Sequence, residues 1–325
     1  MPSPSPVAAV ATVSIHTLAA GSLTLPERFF VQPVDDPDAR KSVPSLSFLI
    51  HHESAAQVTR IVFDLGIRRD LQAYSPQICK HLATRQPVTS RPDVVQSLAS
   101  GGLHPSDIDI IMLSHVHWDH IGTPSDFLHS LFVVGNGSLD LLSGRTKLEN
   151  GSHSHFERGL LPLDRTIQLP DTSPGRPIET SEALRLRGRQ VLLGPWHPFS
   201  SLPHTIDFFG DGSLYIVSAP GHLPGHINLL CRTAVDRYVY LAGDAYHDTR
   251  LLSGECEIAE WRDSERPDLV CCIHADRQQA KETINRIRAL QRGETLLGPV
   301  EVVAAHDAVW AEVAAAKDRY WPGKL

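Results

Sequence analysis

Four side chains able to bind a metal crowd into the six residues His115, Val116, His117, Trp118, Asp119 and His120, directly after an apolar run at 108–113. Imidazole nitrogen and carboxylate oxygen are zinc ligands, and a catalytic zinc keeps one coordination position open for water. His115 and His117 are two residues apart, so at the end of an extended strand both can face one side and grip one ion. Asp119 and His120 follow after the chain turns and are offset enough to grip a second. The completing candidates share one context, a strand, a break and then a ligand: His222 ends YIVSAPGH, Asp244 ends YVYLAGD and His306 ends VEVVAAH. Such strand ends must converge on one rim of a sheet, where rigid elements fix what the loops present. Solvated loop histidines explain the pattern poorly, because each of these residues closes an apolar run of strand length.

Positioning this set takes several strands. LSFLIHHESAAQVTRIVFDLG, residues 46–66, reads as two strands around a polar turn, the second ending at Asp64. GSLYIVSAPGH, INLLCRT, RYVYLAGDAY and PVEVVAAHD are further apolar, β-branched or aromatic runs of strand length. Before the last of them, Ala280, Ile284, Ile287 and Leu290 recur at helical spacing, and Gly293 offers a stop. Residues 123–205 have another texture, rich in Gly, Ser, Pro and His, and read as an inserted, cap-like surface region. Residues 1–13 read as a flexible N-terminal segment, 14–325 as a single domain, and the closing Gly-Lys-Leu as a solvated tail.

Composition bounds the partners. The 325 residues are 42% hydrophobic and 21% charged, as in ordinary soluble globular proteins. A net charge of -7 with no basic cluster argues against nucleic acid and acidic membrane surfaces and favours a small-molecule substrate. No stretch approaches the ~20 apolar residues of a membrane span, and the N-terminus lacks a signal-peptide pattern, so a cytoplasmic location is expected. Five cysteines, Cys79, Cys231, Cys256, Cys271 and Cys272, form no C-x-x-C and indicate a reducing compartment rather than a disulfide framework.

Taken in order, HVHWDH, APGHLPGH, AGDA and AAHD resemble the signature of the metallo-β-lactamase superfamily, and the local runs are most similar to its N-acyl homoserine lactonase-like branch. The resemblance runs from about Ser14 to the C-terminus and includes Asp64 in IVFDLG as the early strand-end aspartate that supports the ligands. It implies an α+β fold, a four-layer αβ/βα sandwich with two mixed sheets inside, helices outside and the site at one edge. It implies two Zn2+ ions, one on His115, His117 and His222, the other on Asp119, His120 and His306, with Asp244 bridging. The activity implied is a metal-dependent hydrolase that opens a lactone or lactam ring through a metal-bound hydroxide, with Asp119 moving the proton. The alternative is a thioester hydrolase, glyoxalase II-like or acting on a polyketide carrier protein, because the same ligand set serves both. Secondary metabolism and detoxification are the settings that the analogy suggests.

Some positions depart from the family pattern or stand beside it. Lactonase-like members use a tyrosine three residues after the bridging aspartate to donate to the substrate carbonyl; here that place is His247, and Tyr246 is one residue earlier. Either is a candidate catalytic donor. In the 123–205 region, Trp196 and Phe199 are candidates to line an apolar pocket over the metals, which would suit a hydrophobic or aromatic substrate. His153, His155, His197 and His204 lie in that region without the carboxylate pattern of a third metal site. His226 reads as a supporting or packing residue, Ser114 as a turn or supporting hydroxyl, and Asp307 as either an orienting carboxylate or an exposed one.

Overall fold

Strands that are apolar at successive positions belong to sheets covered on both faces. The computed structural model describes residues 10–54, 57–148, 155–172, 183–186, 188–263 and 266–325, and builds two such sheets. In the first, Val13–Pro26, Arg40–Glu53 and Val58–Phe63 run antiparallel, and Ile110–Met112, Leu131–Val134 and Thr166–Gln168 continue in parallel. In the second, His197–Phe199, Leu202–Asp207, Leu214–Ser218, Ile227–Ala234 and Arg237–Leu241 run antiparallel, and Glu301–Val303 closes the sheet in parallel.

The alternation of side chains along each strand sorts them into layers. Ile61, Phe63, Ile110, Met112 and Val133 from the first sheet meet Ile216, Leu229, Val239, Leu241 and Val303 from the second in one central core. Their neighbours face outward: Val62, Ile111 and Phe132 pack with Leu98 and Leu141, from the short helices Val94–Ser100 and Ser138–Ser143. On the far side, Leu230, Tyr240 and Val302 pack with Ala280, Ile284, Ile287 and Leu290 of the long helix Arg277–Gln291. Each aliphatic side chain buried this way contributes roughly 1.5–3 kcal/mol. The result is the expected α+β, four-layer αβ/βα sandwich.

Residues 123–205 are more than a surface insertion. They supply Leu131–Val134 and Thr166–Gln168 to the first sheet, and His197–Phe199 and Leu202–Asp207 to the second. Strands of three to six residues separated by Gly, Pro and Ser are too short to show a period, which is why composition alone suggested a loop. Part of the region, with His153, lies outside the described residues, as do residues 1–9. The first strand already starts at Val13. The C-terminal segment is not a free tail: Thr17 N donates to Arg319 O (3.0 Å), and Leu325 N to Ile15 O (2.9 Å), so it lies along that strand.

At one end of the sandwich the two sheets are joined by backbone hydrogen bonds. Ile227 N donates to Ser114 O (2.8 Å) and Leu46 N to Ala305 O (2.9 Å), while Ala305 N donates to Gly243 O (3.0 Å) between two strand ends of the second sheet. The candidate ligands stand on this rim.

Candidate metal centre

The strand Ile110–Met112 delivers His115 and His117, and the one-turn helix Trp118–Ile121 carries Asp119 and His120. Leu214–Ser218 leads to His222, Arg237–Leu241 to Asp244, and Glu301–Val303 to His306. Two glycines permit the close approach. Gly221 has φ +127°, and a Cβ there would stand 2.2 Å from the backbone N of Ala280, so only glycine lets the His222 loop rest on the long helix. Gly243 has φ +48°, and a Cβ there would stand 2.7 Å from the Cβ of Ser114. That contact brings Asp244 against the His115 strand end.

All seven expected ligands come together, and none is more than 7% exposed. His117 Nδ1 lies 3.0 Å from His115 Nε2 and 3.1 Å from His222 Nε2. Asp244 Oδ2 lies 3.6 Å from both His115 Nε2 and His222 Nε2. The other oxygen of the same carboxylate, Oδ1, lies 3.2 Å from His120 Nε2 and 3.3 Å from His306 Nε2, and Asp119 Oδ2 lies 3.6 Å from His306 Nε2. Donors held ~2.1 Å from a tetrahedral ion stand about 3.4 Å apart, so both clusters have the spacing of a ligand shell. His120 Nε2 and Asp244 Oδ1 are buried and make no hydrogen bond. Leaving such atoms without a partner is costly. A cation held by nitrogen and oxygen donors satisfies them, so the residues fit the two ions that the resemblance implies.

The outward atoms of the ligands are held in turn, as ligating histidines require. Asp64 accepts from His120 Nδ1 (2.9 Å), from Ser114 N (2.7 Å) and from Ser114 Oγ (2.7 Å), and Ser114 Oγ lies 3.0 Å from His115 Nδ1. His306 Nδ1 donates to Pro44 O (2.7 Å), and Asp244 N donates to His226 Nε2 (3.1 Å). Asp64 itself has φ +63°, a conformation uncommon outside glycine, and its three accepted bonds hold it there. Burial pulls His115 and His222 well below the usual histidine range, which leaves their lone pairs available near neutral pH. Burial also acts on His120 and His306, but Asp244 outweighs it, with Asp64 beside His120 and Asp119 beside His306, and both stay above that range. The Asp244 carboxyl is raised by burial yet brought well below the usual range by His120, His306 and His247.

The structure corrects several expectations. Tyr246 is not at the site: it is 1% exposed and packed in the outer core of the second sheet beside Tyr240, where burial pushes its phenol well above the usual range. His247 takes the place beside the cluster, with Nε2 3.1 Å from Asp244 Oδ2. Phe199 stacks on Tyr215 (ring centroids 4.2 Å) and Trp196 donates through Nε1 to Pro170 O (2.9 Å), so neither lines the metal cluster. Asp307 caps the helix Ala308–Ala316 by accepting from Trp310 N (2.9 Å) and does not orient His306. His155, His197 and His204 join none of the ligand clusters among the described residues.

Other residues around the site escaped the sequence reading. His274 is fully buried, its Nδ1 3.3 Å from His222 Nδ1, and it forms a further histidine cluster with His222 and His247. It closes VCCIHAD, an apolar run ending in histidine like the runs before His222 and His306, and that was the available signal. A narrow throat of about 20 Å³ lies against the cluster, walled by Leu23, Leu25, Phe30, Trp118, Arg85 and Ile273. It shares His81, Arg85 and Ile273 with an outer cavity of about 620 Å³.

Comparison with known proteins agrees with this geometry. No family model matches the chain. It is 32% identical over 250 residues to cytochrome P450 monooxygenase mpaDE of Penicillium roqueforti, covering 74% of this chain and 26% of that protein. It is 30% identical over 251 residues to metallo-hydrolase mfmC of Annulohypoxylon moriforme (74% and 58%), and 27% over 248 to gamma-lactamase FDB1 of Fusarium pseudograminearum (73% and 54%). The chain thus spans less than two thirds of the length of each of these relatives. A mutant of B. thuringiensis AiiA with N-decanoyl-L-homoserine at its active site shares the fold, with TM-score 0.63, 16% identity, and coverage of 97% of this chain and 99% of that one. Two sheets back to back with a histidine and aspartate cluster on their shared rim define a member of the metallo-β-lactamase superfamily, and the chain belongs to it. Within the superfamily its likeness is to the lactonase-like branch, with N-acyl homoserine lactonase AttM of Rhizobium radiobacter 22% identical over 229 residues (70% of this chain, 68% of that protein).

Proposed function

We propose that this chain is a dinuclear zinc hydrolase that opens the lactone or lactam ring of a small, apolar or aromatic substrate. The observation that carries the proposal is Asp244, a buried carboxylate whose two oxygens each face a separate histidine set at the base of a throat. His115, His117 and His222 with Asp244 Oδ2 would hold one ion; Asp119, His120 and His306 with Asp244 Oδ1 would hold the other. When bound, the two ions supply Lewis acidity and lower the pKa of water towards about 7.

The chain's own groups do the rest. Asp119 lines the throat and is the carboxylate that takes the proton of the attacking water and returns it to the leaving atom. His247 also lines the throat, and in this chain it fills the place of the carbonyl-donating tyrosine. Leu23, Leu25, Phe30 and Trp118 exclude bulk water around the reacting bond. The throat admits the scissile carbonyl and little else, so the remainder of the substrate occupies the outer cavity, whose volume is in the usual range for small-molecule sites. A gamma-lactamase among the relatives and N-decanoyl-L-homoserine, an opened-ring compound, at the active site of a neighbour of the same fold support ring opening. None of the five cysteines is in a disulfide, which supports a reducing, cytoplasmic location. Among the described residues no helix is long and apolar enough to cross a membrane.

The test is kcat/KM of the zinc-loaded protein on an acyl lactone, an aryl-fused lactam and an acyl thioester, with Asp119→Ala as the blank and metal content measured alongside. Turnover of a ring substrate that disappears in the blank is the expected result. Thioester turnover alone overturns the assignment and moves it to the thioesterase alternative.

A further inference from the structure

The one-turn helix Trp118–Ile121 carries two of the seven ligands, Asp119 and His120, and is too short to hold itself. His120 N and Ile121 N both donate to His117 O (3.1 Å each). A single turn then leaves the carbonyls of Trp118, Asp119 and His120 without a donor inside the helix. Each of the three is taken from outside. Tyr74 Oη donates to Trp118 O (2.7 Å), Ser45 Oγ to Asp119 O (2.6 Å) and Leu65 N to His120 O (2.7 Å). The last is a backbone donor, which any residue but proline supplies. The first two are side-chain hydroxyls brought from 44 and 74 residues away in the sequence.

Both hydroxyls are buried, Ser45 at 1% and Tyr74 at 4% exposure, and both sit on parts that are themselves fixed. Ser45 lies in the strand Arg40–Glu53 between Pro44, whose carbonyl accepts from His306 Nδ1 (2.7 Å), and Leu46, whose N donates to Ala305 O (2.9 Å). Three successive residues of one strand thus grip both segments that supply Asp119, His120 and His306. Tyr74 Oη also accepts from Arg68 N (2.7 Å), and its ring stands edge to face with Trp118 at 5.9 Å. The loop of His222, in the other ligand set, is held by different groups: Ala275 N donates to His222 O (2.9 Å) and Thr283 Oγ1 to Pro220 O (2.7 Å).

We infer that the hydroxyls of Ser45 and Tyr74 are positioning groups that fix the Trp118–Ile121 turn, and through it the Asp119 and His120 side chains of the second ligand set. This rests on the dinuclear reading and names what sets one of its two sites. Removing either hydroxyl leaves a buried carbonyl without its donor and frees the turn to shift. Loss of a group that orients metal ligands weakens metal affinity by roughly 10- to 100-fold. Here the loss falls on the site of Asp119, His120 and His306 and spares that of His115, His117 and His222.

Ser45→Ala and Tyr74→Phe each delete a single oxygen, and Tyr74→Phe keeps the ring against Trp118, so it decides alone if Ser45→Ala does not fold. The full chains are loaded with zinc and titrated with a chromophoric chelator, which gives a dissociation constant for each ion; anomalous diffraction at the zinc edge then identifies the site that empties first. Hydrogen exchange at residues 117–122 is followed in the metal-free proteins. In both variants the site of Asp119, His120 and His306 should weaken by roughly 10- to 100-fold while the other shifts less than about threefold, and exchange at 117–122 should quicken by roughly tenfold. A merely structural role lowers unfolding stability without favouring one site, so any other pattern of zinc loss, or none, overturns the inference. If the wild-type chain holds fewer than two zinc ions, the dinuclear reading fails and exchange decides. Faster exchange confined to 117–122 sustains the hydroxyls as the supports of this turn; exchange that is unchanged, or faster throughout the chain, overturns them.

Discussion

Around the throat, the inner wall consists of strand-end histidines and aspartates whose outward atoms are bound to Asp64, Ser114, Pro44 and His226. The outer wall is drawn from the end of the strand Val13–Pro26, the turn Ala83–Arg85 and the stretch around Trp261, and there Arg40 rests on the Thr84 and Gln86 carbonyls and Arg28 on the exposed Asp38. The difference follows from what each wall must do. Metal ligands must hold to a fraction of an ångström, so a second layer of hydrogen bonds fixes them. A substrate wall needs shape and charge, which loops can supply and vary without disturbing the sheets.

The sharpest way to break this contrast is Asp244→Asn. It removes the charge shared by both ligand sets, and metal content should fall together with kcat/KM, the latter by on the order of 10³-fold or more. Undiminished activity would sink the bridging role. Next is Glu157→Ala, outside both walls, where Glu157 pairs with buried Arg68 (2.8 Å) and also accepts from Ser75 N. Leaving that guanidinium alone should cost roughly 3 kcal/mol in urea unfolding, with ligand geometry unaltered. A change below about 0.5 kcal/mol would show that the pair does not anchor the segment around Tyr74.

Asp64→Asn sharpens the inner wall. Asparagine tolerates the positive φ, so the substitution tests the carboxylate itself, and metal affinity measured against a chromophoric chelator should drop roughly 10- to 100-fold. Acid stability separates fold from metal. Burial, with His16 and Arg60 nearby, lowers the His51 pKa from 6.5 to about 4. The unfolded chain therefore binds the extra proton, and stability is lost as pH falls from about 6.5 towards 4, by on the order of 2 kcal/mol. In His51→Gln, metal-free protein should show a correspondingly flatter profile over that window; an unchanged profile would assign the acid loss elsewhere. The smallest effect belongs to Phe199→Leu, distant from both walls on Tyr215, which should leave kcat/KM within about twofold. A large loss there would restore the cap reading.

The inner wall was legible because each ligand segment follows the end of a strand, with Asp119 and His120 on the helical turn that continues from His115 and His117. His274 has the same signature in VCCIHAD but was hidden by a pair of cysteines that read as core, and they are core, at 1% and 4% exposure. Tyr246 and His247 show the limit of that reasoning. Asp244 lies within a tight turn closed by Ala245 N donating to Ala242 O (3.0 Å), and the direction of each side chain leaving it depends on the turn rather than on a strand period. The residue three after Asp244 returns to its carboxylate, while the one before it is turned into the core.

The sequence by itself determined the layers of the fold and the identity of the seven clustered ligands, because both depend on short-range patterns of apolar and polar residues. Only the tertiary structure decided which aromatic and basic groups face the site. Arg40, Arg85, Phe29 and Trp261 come from segments separated by tens to hundreds of residues, and no local period records that they meet. Their convergence is set by how the two sheets pack and where the connecting loops cross the rim.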